Sequence, residues 1–250
     1  MNFFFVLNGK TIKQLTLIVV AAFFTAWFLY LESFIHIPTF SDKNDPKAIY
    51  KGEKDLALTF NIGWGDEKAE PILDILKKEK ITTATFFLSG SWAERHPDLV
   101  NRIVKDGYEI GILGYNYIDY TDVKEEEIRK DLATAIEAFS KLNIKNIKHA
   151  RAPTGHFDQK TLKVAERYGL TLVHWSVDSK DWTNPGVEII VDNVSKAKKG
   201  DIILMHASDS AKQTADALPS ILKELRKKGH KLITVSEMIV NADSSTKEIK

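Results

Sequence analysis

Apolar and polar positions follow two different rhythms along this chain. Short runs rich in β-branched and aromatic residues read as strands: Leu56–Ile62, Thr83–Ser89, Glu109–Tyr115, His149–Ala152, Thr171–Val177, Asp201–Ala207 and Lys231–Val235. Between them, apolar residues recur at three- and four-residue spacing, as in helices with one buried face. The stretch Glu67–Lys80 carries Ile72, Ile75 and Leu76 on one stripe. The stretch Val123–Leu142 carries Ile128, Leu132, Ala135, Ile136 and Phe139, with Asp122 positioned to cap its start. A third, Leu218–Lys228, stops at Gly229, the residue type favoured just past a helix end. Strands alternating with helices predict parallel strands joined by crossover helices. Roughly seven such units in about 200 residues fit an α/β fold of the (β/α) barrel type, distorted or incomplete. A doubly wound open sheet is the alternative, but the turn after the first strand, Asn61-Ile62-Gly63-Trp64-Gly65-Asp66, is not a glycine-rich phosphate turn.

The first forty residues follow neither rhythm. Residues 15–31, LTLIVVAAFFTAWFLYL, contain no charge and only two Thr as polar groups. At about 1.5 Å per residue the run falls slightly short of a roughly 30 Å hydrocarbon core. Lys10 and Lys13 precede it and Glu32 follows, so the positive-inside rule keeps residues 1–14 in the cytoplasm and exports the remainder. A transmembrane anchor or uncleaved signal is therefore expected at 15–31, and no small-x-small cleavage site follows it. Residues 32–54 read as a polar linker, 55–240 as the folded domain, and 241–250 as a tail.

Composition changes this picture little. The chain is 44% hydrophobic and 28% charged, ordinary for a folded domain. With 35 basic against 34 acidic residues it carries no field that would point to nucleic acid. It has no Cys, which excludes a disulfide framework, a thiolate metal site and a Cys nucleophile.

In a (β/α) barrel the reactive groups project from the C-terminal strand ends. Here those ends carry Asn61, Tyr115-Asn116-Tyr117, Arg151-Ala-Pro-Thr-Gly155, Asp178-Ser-Lys-Asp181-Trp182 and His206-Ala-Ser-Asp209. An Arg, two Asp and a His are thus expected on one rim. The other histidines are scattered, with no HExxH-type spacing.

The ordered set Thr59-Phe60-Asn61, Arg151-Ala-Pro-Thr-Gly155, Asp178-Ser-Lys-Asp181-Trp182 and Leu204-Met-His206 resembles the polysaccharide deacetylases, hydrolases of the NodB-homology type. The resemblance covers about residues 50 to 240, and within the family the Trp64-Gly65-Asp66 run looks most like the branch linked to endospore formation. It implies a distorted (β/α)7-like barrel with its site on the C-terminal rim, preceded here by the one N-terminal transmembrane helix expected at 15–31. It also implies an extracytoplasmic site, in cell wall or forespore envelope, that recognises N-acetylated peptidoglycan or chitin-like glycan. In active members the first motif reads Thr-Phe-Asp-Asp, whose first Asp is the catalytic base and whose second binds a divalent metal. Two His ligands follow a Gly-x-Glu-Ile-Gly run.

This sequence departs from that pattern. Asn61 stands in the base position, and the three ligand positions fall on Ile62, Leu113 and Tyr117. Ile and Leu have no lone pair to offer, and a Tyr phenol is a poor ligand for a typical divalent site. No metal cofactor is expected. The resemblance implies that Arg151 orients the first-motif side chain, that Asp178 tunes His206, the general acid, and that Trp182, Leu204, Asp181 and Tyr117 lie along the sugar pocket. Two functions remain open: a glycan-binding pseudoenzyme, or a slow metal-independent amide or ester hydrolase that uses His206 with Asp178. In the second, Asp66 would fold back to replace the lost carboxylate.

Overall fold

A computed structural model describes residues 9–33 and 46–246. The chain divides into two units, residues 1–45 and 46–250. The first holds one helix, α1 (Gly9–Ser33). The helical state of the apolar run is as expected, and Leu17, Ile18, Phe23, Phe24 and Trp27 stand exposed along it. Among the described residues no helix is long and apolar enough to cross a membrane, so the span itself is not shown.

The second unit is an α/β fold. Its strands are β1 (Leu56–Ile62), β2 (Thr85–Leu88), β3 (Glu109–Ile112), β4 (His149–Ala150), β5 (Thr171–Leu172), β6 (Val177–Asp178), β7 (Ile202–His206) and β8 (Leu232–Ile233). They pair in parallel in the order β5-β4-β3-β2-β1-β7-β6, with β8 alongside the start of β1. The sheet curls as expected for a distorted (β/α) barrel, with β1 at its centre. Alternation along β1 explains that place: Ala57 packs into the barrel interior with Phe87, Leu113 and Val173, whereas Leu58, Phe60 and Ile62 pack into the helical layer.

The helices are α2 (Ala69–Lys78), α3 (Gly90–Arg95), α4 (Pro97–Lys105), α5 (Glu125–Lys141), α6 (Gln159–Arg167), α7 (Val187–Ser195), α8 (Thr214–Lys227) and α9 (Val235–Thr246). Several starts are set by local chemistry. The Ser89 hydroxyl accepts from the Trp92 N–H, Pro97 opens α4, and Asp158 accepts from the Thr161 N–H at 2.9 Å. Asp122 does not cap α5; Lys124 holds that position. Gly229 follows α8 with φ +72°, as its sequence position predicts.

Two boundaries differ from expectation. The run 171–177 is not one strand. After β5 the chain leaves the β4 side, and the Ser176 N–H donates to Ile202 O, starting the pairing of β6 with β7. Residues 46–54, read as linker, belong to this unit: Ile49 bridges Val173 and Lys51 bridges Asp201. Helix α9 also runs into the stretch read as tail, of which 247–250 lie outside the described residues.

Candidate functional site

A cleft of about 480 Å³ opens at the C-terminal ends of β1, β6 and β7. Asn61, Tyr117, Asp178, Trp182, Leu204 and His206 all line it, together with Trp64. Arg151 and Asp181 lie immediately behind that lining, 1% and 0% exposed. The eight side chains singled out in the sequence are therefore brought to one place.

On the β6–β7 side the order is carboxylate, imidazole, cleft. Asp181 accepts from the His206 backbone N–H and from the Thr214 hydroxyl, both at 2.7 Å, and its other oxygen meets His206 Nδ1 at 2.7 Å. A carboxylate without a proton only accepts, so Nδ1 carries the hydrogen and Nε2 is the nitrogen left for the cleft. This corrects the pairing expected with Asp178. Asp178 accepts from the Lys180 backbone N–H and pairs with Lys180 Nζ, both at 2.8 Å. Lys180 then takes a left-handed backbone, φ +60°, which turns Asp181 inward. Asp178 stays in the cleft wall.

On the β1 side the side chains interlock differently. Arg151 Nη1 donates to Thr59 Oγ1 at 2.9 Å and to Asn61 Oδ1 at 2.8 Å. Nε donates to Val173 O and Nη2 to His174 O, each at 3.1 Å. The guanidinium also sits 4.0 Å above the Phe87 ring. Among the described residues it forms no ion pair, and burial brings its pKa down to about 9. The neighbouring His174 is pushed down to about 4, by burial first and by the Arg151 charge second. The positions expected to have lost metal ligands are occupied as follows. Ile62 is fully buried in the helical-layer core and Leu113 in the barrel interior. Tyr117 is 52% exposed and lays its ring against Gly63, where a methyl group would fall 2.8 Å from it. Among the described residues no group of three or more His, Asp or Glu is placed to hold a metal ion.

Two carboxylates hold the rim loops, Asp131, not anticipated from the sequence, and Asp209, placed on the rim by its strand end but given no role. Asp131, from α5, accepts from the backbone N–H groups of Tyr115 and Asn116 at 2.8 and 2.9 Å, and from the Tyr120 hydroxyl at 2.7 Å. These bonds fix the loop that delivers Tyr117. Gly114 is required there: φ is +65°, and a Cβ would fall 2.5 Å from the Asp131 carboxylate. The signal was available, because Asp131 shares the buried face of its helix with Ile128, Leu132 and Ala135. Asp209 accepts from the N–H groups of Asp66, Glu67 and Lys68, each at 3.0 Å. Asp66 itself does not replace a site carboxylate. Its side chain is 84% exposed and meets His96 Nε2 at 2.7 Å, away from the cleft lining.

A profile of polysaccharide deacetylases matches residues 48–173. A peptidoglycan-N-acetylglucosamine deacetylase of Bacillus cereus is 38% identical over 191 residues, covering 75% of this chain and 89% of that protein. This chain belongs to the polysaccharide deacetylase family. Among solved structures, a CE4 family pseudoenzyme from Bacillus anthracis, BA3943, aligns with a TM-score of 0.72 and 30% identity, over 77% of this chain and 69% of that one. The Bc1960 peptidoglycan N-acetylglucosamine deacetylase aligns equally well, TM-score 0.72 and 31% identity, over 76% and 92%. The solved neighbours thus include one described as a pseudoenzyme and one named a deacetylase.

Proposed function

We propose that this polysaccharide deacetylase domain binds N-acetylated cell-wall glycan in the rim cleft and does not run metal-dependent N-deacetylation. The observation that carries this reading is the Asn61–Arg151 pair. In the base position stands a neutral amide, far too weak a base to take a proton from water, and its Oδ1 accepts from a buried guanidinium. The donor set supports the same conclusion about a metal. Ile62 and Leu113 are buried hydrocarbon, and one phenol does not make a divalent site.

Binding is supported by the aromatic surface. Trp64, Tyr117 and Trp182 are each about half exposed, and all three rings line the one cleft. Aromatic faces of that kind pack against the apolar faces of sugar rings. Two of the relatives named above, the Bacillus cereus protein and Bc1960, carry peptidoglycan in their names, which favours that glycan here. The endospore setting implied by the sequence resemblance is the finer part of the same proposal.

Attachment is also part of it. The charge-free run in α1, with Lys10 and Lys13 before it and Glu32 after it, supports membrane anchoring with the domain outside the cytoplasm. Retention of the full chain in a carbonate-washed membrane pellet, and release on deletion of residues 1–33, would support this; a soluble full chain would refute it.

A second reading is favoured by one observation, the buried carboxylate–imidazole pair of Asp181 and His206. With Nε2 toward the cleft, His206 could act as general base on water without a metal. Acetate release from acetylated chitooligomers and peptidoglycan fragments separates the two readings, with added divalent metal, with chelator, and with His206→Ala. The binding reading expects retention of glycan and no release above the variant. Release that survives chelator and disappears in His206→Ala would establish the hydrolase. Release that requires metal would overturn both.

A further inference from the structure

The near balance of basic and acidic residues hides a segregation between the two ends of the barrel. The strand pairs are all parallel, so the segments that lead into the strands share one end, the bottom, and those that follow them share the rim. After β1 and β3, residues 61–70 and 113–127 carry eight acidic residues against Lys68 and Lys124. At the bottom the balance reverses. The segments 51–55, 77–80, 196–201 and 226–231 lead into β1, β2, β7 and β8 and carry twelve Lys and Arg.

These four segments form one surface. Arg226 pairs with Glu79 at 2.6 Å and Lys51 with Asp201 at 2.9 Å. The Lys228 ammonium donates to Ser195 O, and the Thr83 hydroxyl donates to Leu232 O at 2.9 Å. Ion pairing does not remove a carboxylate from the balance. Inside the segments stand Glu53, Asp55, Glu79 and Asp201, and from outside Asp106, Asp192 and Glu224 pair with Lys77, Lys196 and Lys227. Among the described side chains, twelve cations thus face seven carboxylates. Glu109 and Glu237, at the start of α9, are offset by Lys145 and Lys148 ahead of β4. The surplus sits on exposed side chains: Lys78, Lys80, Lys198, Lys199 and Lys231 form no ion pair among the described residues.

The chain enters this unit at the same end, since Ile49 pairs in parallel with Val173 and so runs with the strands. Eleven of the twelve cations are Lys, point charges on flexible stems rather than planar forks shaped for one anion. A broad lysine surface suits many phosphate headgroups lying in one plane. We infer that the bottom of the barrel is a docking surface for anionic phospholipid headgroups, which turns the rim cleft away from the membrane. The inference goes beyond the glycan reading of the cleft. It adds to the attachment reading without needing it, because the surface is built from residues 51–231 alone.

The test combines the full chain with vesicles of phosphatidylcholine, alone or mixed with an equal part of phosphatidylglycerol, and follows lysine acetylation by mass spectrometry. On the anionic vesicles, acetylation of Lys80, Lys198, Lys199 and Lys231 is expected to slow about fivefold, because the surface attracts each ammonium and holds it at the headgroups. The rim residues Lys68, Lys124 and Lys212 should react equally on both vesicles. High salt should abolish the difference. In the double variant Lys198→Glu/Lys199→Glu, changed at two exposed positions, Lys80 and Lys231 should lose most of their protection while urea unfolding stays the same. Equal acetylation of the bottom lysines on the two vesicles, or protection of the rim lysines instead, would overturn the inference. Equal protection by poly(glycerol phosphate) in solution would assign the surface to a wall polymer and overturn it as well. A chain that fails to float with neutral vesicles would remove the attachment reading alone; protection of the bottom lysines on anionic vesicles would then still support the lipid surface.

Discussion

The two sides of the cleft have been treated differently. Along β6 and β7 the polar side chains are kept and fully satisfied: Asp181 has a partner for both oxygens and presents His206 to the cleft. Along β1 and β3 the strand ends are apolar where a metal site would need donors, with Ile62 and Leu113 closed into the hydrophobic cores. Asn61 and Thr59 of β1 stay polar there, and both are tied to Arg151, which follows β4. One half of a site can thus be absorbed into the core without disturbing the other, because each half is held by its own strands and loops. The β6–β7 half is held by the tight turn at Lys180, and the β1–β3 half by Asp131 and core packing.

The sharpest way to break this comparison is to put a carboxylate back on the apolar side. Ile62→Asp places an unpaired charge in a fully buried position, and a loss of about 4 kcal/mol in urea unfolding is expected. Added divalent metal should not restore it, since Leu113 and Tyr117 supply no imidazole. A variant as stable as the parent would show that Ile62 is not core.

On the polar side, Asp181→Ala strips three donors of one acceptor group. A loss of about 3 kcal/mol in urea unfolding is expected. Asp178→Ala should cost under about 1 kcal/mol, because its partner Lys180 is exposed. Equal effects from the two aspartates would undo the assignment of Asp181 as the partner of His206.

Acidity probes the region behind the wall. The pKa of His174 is held down to about 4 by burial and by the Arg151 charge, while in the unfolded chain it is about 6.5. The unfolded state therefore binds the proton first. The contribution of His174 to stability is full above about pH 6.5 and is lost as pH falls toward 4, by about 2 kcal/mol. His174→Gln should flatten that part of the stability profile; an unchanged profile would discount the residue.

Asn61→Asp sharpens the contrast in the opposite direction. It gives Arg151 a charged partner and should stabilise the domain by about 1 to 2 kcal/mol at pH 7. The gain is present above the unfolded carboxylate pKa of about 4 and is lost as pH falls through the lower folded value. No acetate release should accompany it. The smallest effect belongs to Trp182→Ala: about fivefold weaker glycan binding, with unchanged unfolding, because the ring is 49% exposed.

Much of this was legible in the residues themselves. The bounds of β1 coincide with the run Leu56–Ile62, because its apolar residues, broken only by Thr59 and Asn61, are bounded by the polar Lys54-Asp55 and by Gly63. The helices α3, α4 and α6 are six to nine residues long, too short to show a periodic stripe, and went unread. The strand ends gathered Asn61, Asp178, Trp182 and His206, and the family resemblance added Leu204; all five line the cleft. Which aspartate serves His206 was not legible: the positive φ at Lys180 decides it, and residue alternation carries no trace of such a turn. The fate of Asp66 was equally hidden, since its partner His96 sits at the junction between α3 and α4, thirty residues away in the chain.

The short segment ahead of β1 carries a further consequence, for solubility. The outermost strand β5 would otherwise present unpaired backbone groups, the template on which β-proteins aggregate. Ile49 covers it: its N–H donates to Leu172 O at 2.8 Å, and its carbonyl accepts from the His174 N–H at 2.7 Å. Three residues on, the Gly52 N–H donates to Gly200 O at 2.7 Å, pinning the same segment beside the start of β7. Residues 46–52 thus act as a built-in guard against edge-to-edge association, and any fragment of this domain cut after Gly52 would expose a ready docking edge for its own copies.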